Sequence, residues 1–420
     1  MAGSLPRAMA LDKRCGGGSS GTLSCREPSM PIINRIADFA PEMTEWRQDF
    51  HRHPELGFQE FRTSDIVAAK LAEWGIEVHR NIATTGLVGV LRNGGSGRSI
   101  GLRADMDCLA MEEEQTGAPH ASASPGRMHA CGHDGHTATL LGAAKYLAET
   151  RNFDGTVHFI FQPAEEGGGG GRVMVEEGLF ERFPCDQVYG IHNDPGLPLG
   201  ECTAVAGPIL AASDRLAITV RGTGGHAAKP HLTIDPVMVG AHILVALQAL
   251  VARRVDPLHS AVLSVTQFHA GSASNVIPDM AELKGTVRTL LPEVRDLMER
   301  LIIQVAQNTA AAHEATAEVA YTRNYPPTIN HAEETTRAAL AAAKVLGEAR
   351  VHRNLPPIMG AEDFSFMLLE RPGAFVFMGQ KGADKGGVPV HHPEYDFNDE
   401  MLPVGASYFA TLVEQELRRG

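Results

Sequence analysis

The sequence predicts an α/β fold with a second domain inserted into the first, and three observations carry that prediction. Helix and strand patterns alternate from 55 to 210. A βαββαβ order, that of the ferredoxin-like unit, occupies 213–323. Helix, strand and helix patterns then resume over 333–420, so the middle unit reads as an insertion. The expected division is an extension at 1–29, a first part of the main domain at 30–212, the inserted domain at 213–323 and a second part at 324–420.

Each element has its own signal. Residues 1–29 include "CGGGSSGTLSCREPS", with no periodicity and no apolar stretch of the roughly 7–15 residues that a secretory signal needs. They are expected to be a dispensable tail. "MPIINRIADFAPEMTEWRQDFHRHPE" starts at Met30 with helical spacing, and "TSDIVAAKLAEWG" reads as a helix capped by Thr63 or Ser64 and stopped at Gly75. "GLVGVLR" and "RSIGLRAD" are buried strands, "DGHTATLLGAAKYLAE" is a helix, "GTVHFIFQ" a strand and "QVYGIH" a short strand. In the inserted unit, "DRLAITVRG", "AVLSVTQFH", "AELKGTVRT" and "ATAEVAYT" are strands. Two helices separate them, the first with Asp235 as N-cap and Pro236 in its first turn. The last stretch gives a helix at "ETTRAALAAAKVLGE", a strand at "GAFVFMG" and a final helix from about Leu402.

Composition narrows the function classes. With 43% apolar and 21% charged residues the chain is an ordinary globular protein. A net charge of −13, from 37 basic and 50 acidic residues, argues against nucleic-acid and anionic-membrane partners. No apolar run is read as approaching the roughly 20 residues that span a bilayer. The six cysteines show no paired spacing, so free thiols in a reducing, cytoplasmic compartment are expected.

Ligands in open α/β sheets gather beyond the carboxyl ends of strands. Asp105, the pair Glu165–Glu166 and His192 all fall there. "MHACGHDGHTA" adds Cys131 and His133 at the mouth of a helix, and "VHHPEYDFND" adds His391 and His392 in a late loop. Thiolate, imidazole and carboxylate are the usual ligands of zinc and similar metals. Cys131 and His133 can each face a metal if two ions sit about 3.5–4 Å apart. Glu166, His192 and His391 would complete the set, leaving Glu165 free to handle protons. Each residue alone has an ordinary structural reading as a core or solvated side chain; their joint arrival at strand ends does not. The glycine run after Glu166 lacks the Gly-Lys-Ser/Thr ending of a phosphate loop.

The stretches "RHPELGFQE", "GLRADMD", "MHACGHDGHTATLLGAA", "FQPAEEGGGGGRVMVEEG", "GIHNDPGLPLG", "GGHAAKPH", "SASNVIPD", "KGTVRT" and "HHPEYDFND" resemble the M20 metallopeptidase family, in its amidohydrolase branch. They run in family order over roughly 45–400, almost the whole chain. That branch includes hippurate hydrolases, N-acyl-amino-acid amidohydrolases and indole-acetyl-amino-acid hydrolases.

The resemblance implies two divalent ions (zinc, manganese, cobalt or nickel) held by Cys131, His133, Glu166, His192 and His391. It makes Glu165 the general acid/base and Asp105 a support that orients a ligand. His391 is preferred to His392 because the family pattern is His, a variable residue, then Pro. The inserted domain becomes a lid whose His226 donates to the developing oxyanion, with Asn275 and Arg288 as candidates for the substrate carboxylate. Cys108 and Ala110 stand where the branch commonly carries Ala and Pro, a departure that bears on pocket shape. The expected partners are a small N-acyl amino acid and, through the lid, a second copy of the chain. A dipeptidase sharing the same site stays open as the alternative, as does a non-catalytic binding protein, though that would be expected to lack the base or a ligand.

Overall fold

The computed structural model describes residues 32–114 and 117–420. The expected start at Met30 and the tail before it lie outside the described residues. The first part of the chain forms α1 (Asn34–Arg52), α2 (Phe61–Glu73), β1 (Glu77–Ile82), β2 (Gly86–Asn93), β3 (Ser99–Asp105), α3 (His133–Thr150) and β4 (Gly155–Gln162). It continues through α4 (Gly170–Glu176), α5 (Leu179–Arg182), β5 (Gln187–Pro198), β6 (Cys202–Thr203) and β7 (Gly207–Leu210). The middle comprises β8 (Ala212–Arg221), β9 (Gly225–His226), α6 (Pro236–Arg254), β10 (Ala261–Ala270), β11 (Val276–Ile277), β12 (Met280–Thr289), α7 (Pro292–Ala312) and β13 (Thr316–Tyr325). The last part adds β14 (Thr328–Asn330), α8 (Ala332–Leu346), β15 (Val351–His352), α9 (Phe364–Glu370), β16 (Gly373–Lys381) and α10 (Leu402–Glu416).

One eight-stranded mixed sheet, in the order β1-β2-β4-β3-β5-β16-β6-β15, organises the first and last parts. The strands β4, β3, β5 and β16 run parallel, so their carboxyl ends share one side. β2, β3 and β4 are near-continuous apolar runs because helices cover both faces of the sheet. One face packs on α1, α2, α3, α8 and α10, the other on α4, α5 and α9. In α3 the side chains of Leu140, Leu141 and Leu147 have no exposure, and burial of each contributes about 1.5–3 kcal/mol.

The middle segment has its own four-stranded antiparallel sheet, β10-β12-β8-β13, and its own apolar core against α6 and α7. β8 alternates buried and open positions, as a sheet with helices on one face requires. Asp235 does cap α6, accepting from the Val237 amide at 2.8 Å.

Three expectations need correction. α2 begins at Phe61, and Thr63 and Ser64 lie inside it, because the Glu55 carboxylate in the preceding loop accepts from the Arg62 and Thr63 amides and so does the capping. The strand read as "QVYGIH" extends to Pro198, since its far end pairs with β16, a partner distant in sequence. α6, at 19 residues, is long and apolar enough to cross a membrane by length and composition alone. Here it lays Val239, Ile243, Leu247 and Leu250 against the small sheet.

Candidate metal centre

Sheet register explains why distant residues meet. Arg103 on β3 lies opposite Gly190 on β5, which places His192 level with Asp105. Phe377 on β16 lies opposite His192. Glu165 and Glu166 follow β4 after a turn at Pro163 and Ala164, and α3 starts at His133. His391 sits in the loop between β16 and α10, where its amide donates to Ala130 O at 2.7 Å, beside Cys131.

Gly132 separates Cys131 from His133 with φ +94°, and a β-carbon there would stand 2.5 Å from Asn193 Oδ1. Only glycine fits that turn. The turn after β4 needs similar help. Ala164 has φ +52°, its amide donates to Glu60 Oε1 at 2.9 Å, and a β-carbon on Gly170 would collide with Pro163 O. The glycine run thus folds tightly back over the strand end, and both glutamates face one place.

The donors form two overlapping groups. In one, Cys131, His133 and His192 each bring a ligand atom within 4.8 Å of the others; in the second, Cys131, Glu166 and His391 do so. Cys131 Sγ is 3.4 Å from His192 Nε2, and His391 Nε2 is 3.1 Å from Glu166 Oε1. Cys131 is the member common to these two groups, and His133 recurs with Glu165 and Glu166 in a further one. His133 Nε2 is buried with no hydrogen-bond partner, while its Nδ1 lies 2.9 Å from Asp107 O. With Nδ1 donating, Nε2 keeps its lone pair directed at the cluster, as a metal ligand requires. The sulfur, nitrogen and oxygen donors fit divalent transition ions.

Around this set lies a shell that sequence reading largely missed. The Asp107 carboxylate accepts from the Glu165 amide (3.0 Å) with Oδ1 and from the Glu166 amide (2.9 Å) with Oδ2. Tyr325 from β13 donates to Glu165 O at 2.6 Å. The Asp105 carboxylate faces two histidines. Its Oδ1 is 2.6 Å from His136 Nδ1, its Oδ2 is 3.7 Å from His133 Nε2, and His136 reaches Asn193 at 2.8 Å. Arg103, fully buried, donates to Asp105 (2.8 Å), Glu362 (2.7 Å) and Asp363 (3.1 Å). Burial opposes ionisation of Asp105, but Arg103, His133 and His136 outweigh it and hold the carboxyl well below its ordinary range. Glu165 goes the other way: burial first, then the Glu362, Glu166 and Asp363 carboxylates push it well above. Asp107, two residues beyond the end of β3, and His136, within "MHACGHDGHTA", were the sequence signals available for this shell.

Asp107→Asn should weaken metal affinity by about 10–100-fold, because the new amide would point a donor at one of the glutamate amides. Chelator competition measures this; a change under about 3-fold would show that the Glu pair does not need the carboxylate.

Three predicted residues are not brought to this cluster. His226 is exposed on β9, with its Nδ1 accepting from the Ala228 amide at 3.1 Å. Asn275 is exposed, and its carbonyl accepts from the Ala227 amide at 3.0 Å. Arg288 on β12 bonds Thr286 and Val287 O. All three belong to the middle segment and none lines the cavity. His392 also points away, its Nδ1 accepting from the Glu394 amide.

The cavity beside the cluster holds about 280 Å³. Cys131, Glu165, Glu166, His192 and His391 line it, together with the apolar Leu210, Ile358, Phe377 and Val390.

A sequence profile of peptidase family M20/M25/M40 matches residues 101–415. The chain is 42% identical over 389 residues to a hippurate hydrolase of Campylobacter jejuni, covering 93% of this chain and all of the relative. It is 39% identical to an N-acetylcysteine deacetylase of Bacillus subtilis, covering 89% and 96%. A crystal structure of a dinuclear metal-binding M20 peptidase from Bacillus subtilis superposes with a TM-score of 0.79 at 35% identity, over 91% of this chain and 99% of that one.

Proposed function

The chain belongs to peptidase family M20/M25/M40, and from that premise we propose how its residues divide the work. The protein is a metal-dependent amidohydrolase that binds two divalent ions and cleaves the amide of N-acylated amino acids to a carboxylic acid and a free amino acid. Cys131, His133, Glu166, His192 and His391 hold the ions, with Asp105 and Asp107 orienting the set. The observation that carries this assignment is the pair of donor groups sharing Cys131, with the unpartnered Nε2 of His133 aimed into one of them. When bound, such ions polarise a carbonyl and acidify water. Glu165 takes the water's proton and returns it to the leaving nitrogen, and its place in the cavity wall supports that role.

The middle segment acts as a lid over 213–323, between catalytic parts at 30–212 and 324–420. Its independent sheet and core support treating it as a body that moves. Closure brings His226 to the oxyanion and Asn275 and Arg288 to the substrate carboxylate. His226→Ala should keep metal content and fold while kcat falls by about 10²–10³-fold. An unchanged kcat at saturating substrate would remove His226 from the reaction.

We place the enzyme in the cytoplasm, supported by the four free, buried cysteines among the described residues. A second copy docks through the lid, where Met238 and Val245 stand exposed on α6 and β10 is an edge strand. Light scattering of the intact protein tests the dimer, and cell fractionation the compartment. The identity of the metal (zinc, manganese, cobalt or nickel) is read by elemental analysis. A panel of N-acyl amino acids against free dipeptides, on protein of known metal content, tests the activity. Preference for free dipeptides would favour the dipeptidase reading.

A further inference from the structure

The stretch "PELGFQE", residues 54–60, supplies no residue to the donor groups. It lies instead against the turn that carries Glu165 and Glu166. A β-carbon on Gly57 would stand 2.9 Å from the Ala164 β-carbon, and one on Gly168 would stand 3.1 Å from the Phe58 ring. Leu56 bridges to Cys108, and the Cys108 amide donates to Glu55 O at 2.9 Å. The same stretch is thereby joined to the segment that carries Asp107.

Glu60 ends the stretch with its side chain buried. Its Oε1 accepts from the Ala164 amide at 2.9 Å and its Oε2 from the Thr85 hydroxyl at 2.5 Å. Between β4 and Glu165 stand Pro163 and Ala164, and proline has no N–H. The Ala164 amide is therefore the one backbone donor of the turn, and Glu60 takes it. The next two amides, of Glu165 and Glu166, go to Asp107. Three consecutive N–H groups thus end on two buried carboxylates.

This arrangement is costly to fold. No lysine, arginine or histidine pairs with Glu60 among the described residues. Burial pushes its carboxyl up to about 7, with the Thr85 hydroxyl opposing and the Asp107 charge adding to the rise. Ala164 is itself held at φ +52°, which a residue with a β-carbon disfavours. For packing alone, an apolar side chain would fill the Glu60 site at less cost. What the carboxylate adds is a fixed direction for the Pro163–Ala164 peptide, and so for the glutamates beyond it.

Resting on the amidohydrolase reading above, we infer that Glu60 is a positioning residue of the hydrolysis: by holding the Ala164 amide it sets the direction in which Glu165 leaves the turn, and so where its carboxylate meets the attacking water. Glu60 does not line the cavity and acts through the turn.

The test compares Glu60→Ala, Glu60→Gln and Thr85→Val in the full-length, metal-loaded enzyme, on N-benzoyl-, N-acetyl- and N-phenylacetyl-glycine. Glu60→Ala should lower kcat by about 10²-fold with KM within about 3-fold, because a reacting group misplaced by about 1 Å loses that much rate. Both ions should stay bound, since Asp107 still holds the Glu166 amide. Glu60→Gln should recover kcat to within about 3-fold of wild type, its carbonyl accepting from Ala164 and its amide donating to the Thr85 oxygen. Thr85→Val keeps the shape and removes the hydroxyl; it should lower kcat by about 10-fold, and it carries the test should the alanine variant fail to fold. A Glu60 that only packs would lower the melting temperature of the alanine variant and leave kcat per metal-loaded enzyme unmoved. That result, an equal loss in Glu60→Gln, an unmoved kcat in Thr85→Val or a change confined to KM would each overturn the positioning role. Wild-type enzyme with both ions bound that cleaves no N-acyl amino acid would overturn the activity itself, a different outcome.

Discussion

Glu165→Gln is expected to keep both metal ions and bind substrate, yet lose turnover by on the order of 10⁴-fold. The amide is nearly isosteric with the carboxylate but cannot accept the proton that attacking water must give up. The backbone of Glu165 is held independently of its side chain, by Asp107 at its amide and Tyr325 at its carbonyl, so the variant should not disturb its neighbours. Glu166→Gln should behave differently, losing metal first, with activity following occupancy and partly recovering in excess metal. Metal stoichiometry and kcat measured on both variants separate the two roles. Metal loss in Glu165→Gln with retention in Glu166→Gln would reverse the assignment.

Cys131→Ala should empty both metal sites together. Its sulfur belongs to both donor groups, whereas His192 belongs only to one and His391 only to the other. Removing a residue that merely supports a ligand costs 10–100-fold in affinity, and removing a shared ligand should cost each ion at least about that much. His192→Ala, by contrast, should weaken mainly one ion. Isothermal titration of the metal-stripped protein, fitted for two sites, distinguishes these patterns. One site left at wild-type affinity in Cys131→Ala would mean that the sulfur serves a single ion. The same geometry predicts that metal shields Cys131 from thiol alkylation and that chelation exposes it.

Much of the cluster was legible because its members advertise themselves locally. Cys131 and His133 flank a glycine at a helix start, and Glu165, Glu166 and His192 follow or interrupt recognisable strands. Asp107, His136, Arg103, Glu362 and Tyr325 were not legible as parts of the site. Their roles come from pairings across the fold, such as Arg103 with Glu362, 259 residues apart, and such pairings leave no periodic trace. The same reason explains the strand ends. β5 was read short because its last residues owe their conformation to β16, and α2 was read late because its cap is a glutamate outside the helix. His226, Asn275 and Arg288 were read through resemblance alone, with no local signal of their own.

The pairing of β5 with β16 also bears on how the molecule comes into being. These neighbours in the sheet are separated by the entire middle segment, and His391 follows β16. A nascent chain leaving the ribosome can finish the middle segment while the large sheet still lacks an interior strand. During that interval the first four donors are already synthesised but their fifth is still missing, and the apolar edge of β5 awaits its cover. With the proposed ligand set, metal capture would wait for the last stage of synthesis. A chain truncated before residue 391 would keep the small sheet's core complete and leave the enzyme's centre unassembled.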